Sequence, residues 1–469
     1  MSENKPVVVI AGASGYIGQN LLSKLRGRMN IIGLSRNGDK HEDTDDLTWR
    51  SCDLFSLKDA EKGLEGADIA VYLVHSMMPS AKLTQGNFAD MDVILADNFA
   101  QAAKKQGVKK IIYLGGIVPQ GEKRLSAHLK SRLEVEKILR AYGTPVTALR
   151  AGLIVGPKGS SFPILAKLVK RLPVMILPKW TRTKTQPIAL KDVLQSLNKT
   201  VADEKRVNDS YDLGGPEVLT YRQMMEQTAE VMGKKRKMYN VPFFSLYLSR
   251  LWLRLITQTP KETVYPLLDS LKHPLTVQRE AEGISDGKIS FKEAAAYSLK
   301  EEDNKRKILK KPDIGPLKRD VRSVQRIPLP EGYRVGEVAR YYVQWLEDFL
   351  NPWVRTTVDE DLNCQIGWIG NKKPLLELSY APDRSTEDRD LYYITGGFLS
   401  DAEHNERGRL EFRKIPETNE AIIAIHDYLP SMPWFIYKYT QANAHLLVMS
   451  CFRRHMKRIG EEQAREQMG

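Results

Sequence analysis

The chain has 469 residues, enough for two or three domains that each bury a core, and its 42% hydrophobic and 28% charged content is that of a globular protein. A formal net charge of +13 invites a nucleic-acid reading, but the basic runs Lys234–Lys237, Lys305–Lys307 and Arg453–Arg454 are scattered and lack interleaved aromatic residues. Solvated faces and attraction for small anions are the better account, with no nucleic-acid partner. Three cysteines without paired spacing, Cys52, Cys364 and Cys451, argue against a metal site or a disulfide scaffold, and the absence of an apolar leader fits a cytoplasmic protein.

In chain order, Val7-Val8-Val9-Ile10 is an apolar run without alternation, as in a central parallel strand covered on both faces, and Ile17, Leu21, Leu22 and Leu25 follow at helical spacing. Between them, Gly12, Ala13, Ser14, Gly15, Tyr16, Ile17 and Gly18 form a strand-to-helix turn. Gly12 permits the tight turn, Gly15 lets backbone approach a pyrophosphate, and Gly18 allows helix-on-strand packing, with the helix N-terminus facing the anion. A second strand, Asn30 to Arg36, ends in Ser35 and Arg36 instead of an acidic residue. A hydroxyl and a cation there suit a 2′-phosphate, which favours NADP(H) over NAD(H); a plain surface arginine is the alternative.

Leu47 to Leu54 reads as a third strand ending in Asp53 and Leu54, with Asp53 as a ligand contact or a helix cap. The fourth strand, Ile69 to Val74, delivers His75 and Ser76 to a carboxyl end, where ligands bind in open α/β sheets. A helix from about Asp90 to Gln106, stopped by Gly107, leads into a fifth strand that ends at Gly115 and Gly116.

The glycine spacing, the Asp53-Leu54 pair, the stretch Leu73-Val74-His75-Ser76-Met77, the segment Thr144 to Pro157, and Gly214 to Leu219 together resemble extended and atypical members of the short-chain dehydrogenase/reductase superfamily. They resemble NmrA-like proteins, the NADPH-binding accessory subunit of respiratory complex I, and a bacterial group with an added C-terminal domain. The resemblance implies that Asp53 contacts adenine, that Val74, His75 and Ser76 lie at the cofactor, and that Gly152, Leu153 and Ile154 line the nicotinamide half. It also places Gly115 where a catalytic serine is usual, and His128 and Arg132 where a tyrosine and a lysine are usual. His128 is then the candidate catalytic acid, with a polar contact as its alternative role.

Pro242 to Ile256 is apolar with two arginines, reading as a packing helix, with a pocket wall or a peripheral membrane helix as alternatives. The charged stretch 301–326 reads as a linker, so the domains are 1–300, with a substrate lobe at about 156–300, and 327–469. Beyond Ile327 come strands at Asn363–Ile369, Leu375–Ala381, Asp390–Phe398, Gly408–Ile415 and Ala421–Tyr428, then a long helix from Trp434 to Lys457. Phe435, Tyr439, Leu446, Leu447 and Met449 should lie on the sheet. The expected fold is therefore α/β, a Rossmann-type doubly wound parallel sheet with a small lobe, followed by an α+β domain similar to START-like helix-grip folds. The expected activity is hydride transfer between NADPH and an apolar carbonyl- or quinone-like substrate, the alternative being a non-catalytic NADPH-binding sensor or assembly factor. The oligomeric state is not legible in the sequence.

Overall fold

The computed structural model describes residues 5–76, 83–241, 261–306 and 320–467, apart from a few single positions within them. The expected helix at Pro242–Ile256 and the last residue of the Leu73–Met77 motif lie outside the described residues. The chain divides into two compact units, Met1–Met78 with Asp92–Lys311, and Pro79–Met91 with Pro312–Gly469.

The first unit is built on a seven-stranded sheet in the order Asp209–Leu213, Val146–Ala151, Lys110–Gly116, Ile69–Tyr72, Val7–Ala11, Asn30–Ser35, Leu47–Ser51, with all neighbours parallel. Val8 through Ala11 are fully buried, which is why their sequence is continuously apolar. Helices Tyr16–Leu25 and Leu190–Ala202 share one core with this sheet. On the opposite face, Phe99 of the helix Phe88–Lys105 meets Tyr72 edge-on at 4.9 Å, and the Tyr113 hydroxyl donates to the Arg132 carbonyl of the helix Ala127–Arg140 at 3.1 Å. The strand order reverses between Val7–Ala11 and Ile69–Tyr72, which opens the crevice where such sheets take their ligands.

A lobe rises beside the carboxyl edge. Helices Phe162–Arg171, Tyr221–Val231 and Phe291–Arg306 enclose Phe162, Leu165, Leu168, Trp180, Met224, Met225 and Phe291. It is not the continuous block 156–300 expected above, because helix Leu190–Ala202 and strand Asp209–Leu213 return to the main sheet. The segment around Gln186 and the Gly214 motif close this return. Gln186 donates to the Gly215 carbonyl at 2.8 Å and accepts from the Val277 amide at 3.1 Å, and a Cβ on Gly215 would sit 2.2 Å from the Pro187 carbonyl oxygen. These glycines serve packing.

In the second unit, an eight-stranded sheet runs Val354–Val358, Cys364–Trp368, Leu376–Tyr380, Arg389–Gly396, Arg409–Lys414, Glu420–Tyr428, Val321–Pro328, Leu83–Gln85. Only the last of these pairs is parallel. All five expected strands are present. Helix Val335–Leu350 and the long terminal helix Gln441–Glu466 cover one face, and the space between is filled by Tyr342, Trp345, Tyr392, Phe412, Phe452 and Met456.

Three expectations need correction here. The stretch read as a linker holds most of strand Val321–Pro328, and its Arg326 is paired within the fold, with Nε 2.8 Å from Asp90 and Nη1 2.8 Å from Glu420. Residues 83–91 belong with this second unit, not with the first. The terminal helix breaks at Thr440 into Trp434–Tyr439 and Gln441–Glu466; of the five residues expected on the sheet Met449 is buried, while Phe435, Tyr439, Leu446 and Leu447 are exposed. Ala442, Met449, Phe452 and Met456 form the buried face instead. Among the described residues, no helix is long and apolar enough to cross a membrane.

Candidate dinucleotide and substrate site

The site begins at the glycine turn. Gly12 has φ +86°, a conformation that L side chains rarely adopt, and a Cβ there would press on the Leu73 backbone at 3.3 Å. A Cβ on Gly18 would lie 2.3 Å from the Gly12 carbonyl oxygen, so Gly18 holds the helix against the turn. Gly15 caps the helix without a side-chain hydrogen bond, its amide closes the turn to the Gly12 carbonyl at 3.0 Å, and Gln19 is the first residue to donate back along the helix. The amides of Tyr16, Ile17 and Gly18 therefore open onto the crevice, with no acidic residue in the first helical turn. That cradle is the right one for an anion.

From the turn, a cavity of about 630 Å³ runs along the carboxyl edge of the sheet and into the lobe. Its near wall is made by Gly12, Gly15–Gly18, Leu73, His75, Gly115, Gly116, His128 and Arg132, with Gly152, Leu153 and Ile154 opposite. Deeper in, the walls are Leu165, Leu168, Trp180, Met225, Leu268 and Leu271. One end is polar and the other almost wholly apolar.

The polar end rests on Asp92, which lies on the buried face of its helix with Ala96, Phe99 and Ala103 and is itself fully enclosed. Its carboxylate accepts from Arg132 Nη2 at 2.5 Å, from the Ser76 amide and hydroxyl at 2.9 and 2.8 Å, and from the Ser131 hydroxyl at 3.2 Å. His75 Nδ1 lies 3.1 Å from the same carboxylate and 3.0 Å from Arg132 Nη2. Burial alone would raise the carboxyl pKa; the Arg132 charge beside it outweighs that and, with the hydrogen bonds, holds Asp92 ionised far below the usual carboxylate range. Asp92 thus completes an assembly that fixes two cavity-wall residues.

His75 and His128 stack in the wall with ring centroids 5.3 Å apart. Burial and the neighbouring Arg132 hold His75 below its ordinary pKa, and burial, His75 and Arg132 hold His128 well below it. His128 also sits in the first turn of a helix capped by Ser126, where the helix dipole further disfavours a cation. Both shifts favour the neutral imidazole over the imidazolium. Arg132 Nε is buried without a hydrogen-bond partner among the described residues, and so is Trp180 Nε1 deeper in the same cavity.

Other expected site residues are distributed as follows. Ser35 and exposed Arg36 stand at the carboxyl end of the second strand, with the Ser35 hydroxyl accepting from the Asn37 amide at 3.3 Å. Asp53 is half-buried and accepts from the Phe55 amide at 3.2 Å; the cap of the next helix is Ser56, which accepts from the Asp59 amide. Leu54 and Ala13 are core residues, Val74 is half-buried and Ser14 is exposed. Ser76 is engaged by Asp92, as described. Sequence reasoning missed Asp92, although its spacing to Ala96, Phe99 and Ala103 put a carboxylate in the middle of an apolar stripe.

The cradle fits a dinucleotide: backbone glycines where a Cβ would intrude, free helical amides, and a buried guanidinium atom without a partner. Residues 12–167 match a protein-family model described as NAD(P)H-binding. The chain is 37% identical over 145 residues to the auxiliary protein GraX of Staphylococcus aureus, a match covering 30% of this chain and 43% of that one. It is 22% identical over 242 residues to the mitochondrial NADH-ubiquinone oxidoreductase 40 kDa subunit of Neurospora crassa, covering 50% of this chain and 62% of that one. In each case the match spans less than two thirds of the relative. Among solved structures, the triphenylmethane reductase of Citrobacter sp. complexed with NADP(H) aligns with 62% of this chain and 100% of its own, at 17% identity and a TM-score of 0.49. The first unit thus combines a parallel sheet of Rossmann type with a region that matches the NAD(P)H-binding family model.

Proposed function

We propose that this chain is an NADPH-dependent oxidoreductase that reduces an apolar carbonyl or quinone-like molecule. One observation carries the reading: a single cavity joins the glycine cradle to the apolar chamber formed by Leu165, Leu168, Trp180, Met225, Leu268 and Leu271. Tyr16, Ile17 and Gly18 amides hold the pyrophosphate, Arg132 Nε donates to a ribose hydroxyl, and Arg36 with Ser35 holds the 2′-phosphate. Bound NADPH supplies hydride. The chain's own contribution is to orient the acceptor against that cofactor, exclude water with the apolar chamber, and offer neutral imidazole hydrogen-bond donors from His75 and His128 to the carbonyl oxygen. A neutral imidazole polarises the carbonyl while keeping its own proton, so the oxygen of the reduced product takes its proton from solvent water as it leaves the chamber.

A second reading, an NADPH-binding sensor without turnover, is favoured by one specific feature. Gly115 and Gly116 bring no hydroxyl to the cavity wall where a carbonyl would be polarised. Calorimetry with NADPH and NADH, followed by NADPH oxidation with a series of quinones and aldehydes, tests both readings. Tighter binding of NADPH than of NADH that disappears in Arg36→Ala supports the cofactor assignment. Turnover that falls about 10²-fold or more in a His75→Ala/His128→Ala double variant supports the enzyme. Binding without turnover for any acceptor supports the sensor, and failure to bind either nucleotide defeats both.

A further inference from the structure

The exposed side of the C-terminal helices carries a surface that the oxidoreductase reading does not use. Phe435 is 74% exposed, Tyr439 59% and Leu447 61%, with Ile436 and Leu446 also open to solvent. These apolar positions fall on both sides of the break at Thr440. Phe435 and Tyr439 touch at 5.0 Å, the Asn443 side chain donates to the Tyr439 carbonyl at 3.1 Å, and Leu446 and Leu447 follow one helical turn later. Phe398 is exposed as well, and its carbonyl accepts from the Ser431 hydroxyl at 2.5 Å, just before the first of these helices. Solitary exposed leucines need no explanation, but two exposed aromatic rings in contact, followed on the next helix by a pair of exposed leucines, do.

The same helix face continues as a basic one. Positions 446, 450, 453, 457 and 461 recur at helical spacing and pass from Leu446 and Ser450 to Arg453 and Lys457, with Arg454 and Arg458 beside them. Lys457 and Arg458 are partly neutralised by Glu461 at 3.4 Å and Glu462 at 3.7 Å. Arg453, Arg454 and Lys438 have no ion pair among the described residues, and Lys438 lies over the Tyr439 ring at 5.5 Å. An apolar and aromatic tip bordered by unpaired cations is complementary to a surface that offers anions above hydrocarbon.

We infer that this face, Phe435–Tyr439 with Leu446, Leu447, Arg453 and Arg454, docks the protein peripherally on an anionic lipid bilayer. The aromatic and leucine side chains enter the interfacial layer while Lys438, Arg453 and Arg454 meet lipid phosphates. The charge complementarity favours a lipid surface over a second copy of this chain, since two such faces would bring their arginines together. The net charge of +13 acts in the same direction.

Flotation of the full chain with vesicles of phosphatidylglycerol and, separately, of phosphatidylcholine tests the inference. Co-flotation with the anionic vesicles alone, lost as salt is raised, is expected. Phe435→Ser/Leu447→Ser and Arg453→Glu/Arg454→Glu should each weaken partitioning about tenfold or more. Tyr297→Ser, a 64% exposed residue of the other unit, should leave it unchanged. Because all these side chains are exposed, thermal midpoints should stay near that of the parent and rule out misfolding as the cause. No flotation, equal flotation with both lipids, or flotation indifferent to either double variant would overturn the inference. So would sedimentation showing concentration-dependent self-association abolished by Leu447→Ser, which would assign the face to a second copy, or retention on an acidic protein without any vesicle binding.

Discussion

Replacing Asp92 by asparagine would leave the Arg132 guanidinium, 7% exposed, without its carboxylate. Breaking a buried ion pair in this one-sided way costs about 3 kcal/mol, so the thermal midpoint should fall clearly and NADPH affinity with it, because Arg132 and His75 lose their fixed positions. Arg132→Met in the same background should recover part of the stability without restoring the affinity. A fully additive loss in the double variant would show that the two side chains act independently. Gly18 and Gly15 make a second contrast at this scale. Gly18→Ala forces a Cβ to within 2.7 Å of the Ala13 Cα, whereas Gly15→Ala meets only the Gly12 carbonyl oxygen at 3.1 Å. Gly18→Ala should therefore destabilise the fold by about 1–3 kcal/mol, and Gly15→Ala should mainly weaken nucleotide binding. Thermal melts and calorimetry on the two variants separate the effects. The glycines were legible because a turn between a buried strand and a helix has few chemical solutions. Asp92 was not read, because its partners Arg132 and Ser131 lie about forty positions away and a lone acid on an apolar face looks like an interruption.

Elements were legible where one pattern dominated. The parallel strands announced themselves by unbroken apolar runs, since both of their faces are covered. Strand Val321–Pro328 hid among charges because its arginines find acids contributed by other segments, Asp90 and Glu420 for Arg326 and Asp427 for Arg322. Helix Val335–Leu350 was missed for a different reason: Val335, Val338, Ala339, Tyr342, Val343 and Leu346 carry the helical period, yet its β-branched and aromatic residues directly precede a run of expected strands and blur that period. The short strand Leu83–Gln85 could not have been read locally. It exists by pairing with Val321–Ser323, and a Cβ on the adjoining Gly86 would meet the Val324 carbonyl oxygen at 2.7 Å. Arg326→Gln should deprive the Asp90 carboxylate, 4% exposed and also held by the Asn87 side chain at 2.7 Å, of its cation, and lower the stability of the second unit by about 3 kcal/mol. Increased proteolysis within residues 83–91, with melting of the first unit unchanged, is the expected signature. An unchanged midpoint for the second unit would mean that Asp90 is satisfied without Arg326.

Across the whole molecule, histidines held neutral occur in both units, and this sets how the protein responds to acid. His128 and His75 belong to the cavity wall, while His426 is fully buried at 3.4 Å from Glu411, and burial pulls its pKa down to about 4 despite that carboxylate. His445, whose Nε2 is 3.0 Å from the Ser323 hydroxyl, is lowered to about 4 by burial as well. In each case the unfolded chain binds a proton more readily than the folded one below about pH 6.5, so stability must rise with pH across that interval and fall as pH is lowered. Each fully shielded histidine contributes a slope of up to about 1.4 kcal/mol per pH unit, and His75, with 28% of its side chain exposed, contributes less. The depressed carboxylates Asp92 and Glu411 act in the same sense at lower pH: their stabilisation is present above the unfolded carboxylate pKa and is lost as pH falls from there through the folded values. Thermal midpoints measured from neutral pH downward should therefore begin to drop near pH 6.5, well before carboxylates titrate. His426→Gln should flatten the upper part of that curve for the second unit while leaving the first unit's response intact. A midpoint that stays level down to the carboxylate range would show that these imidazoles are hydrated in solution, and that the cavity wall is more open than its packing indicates.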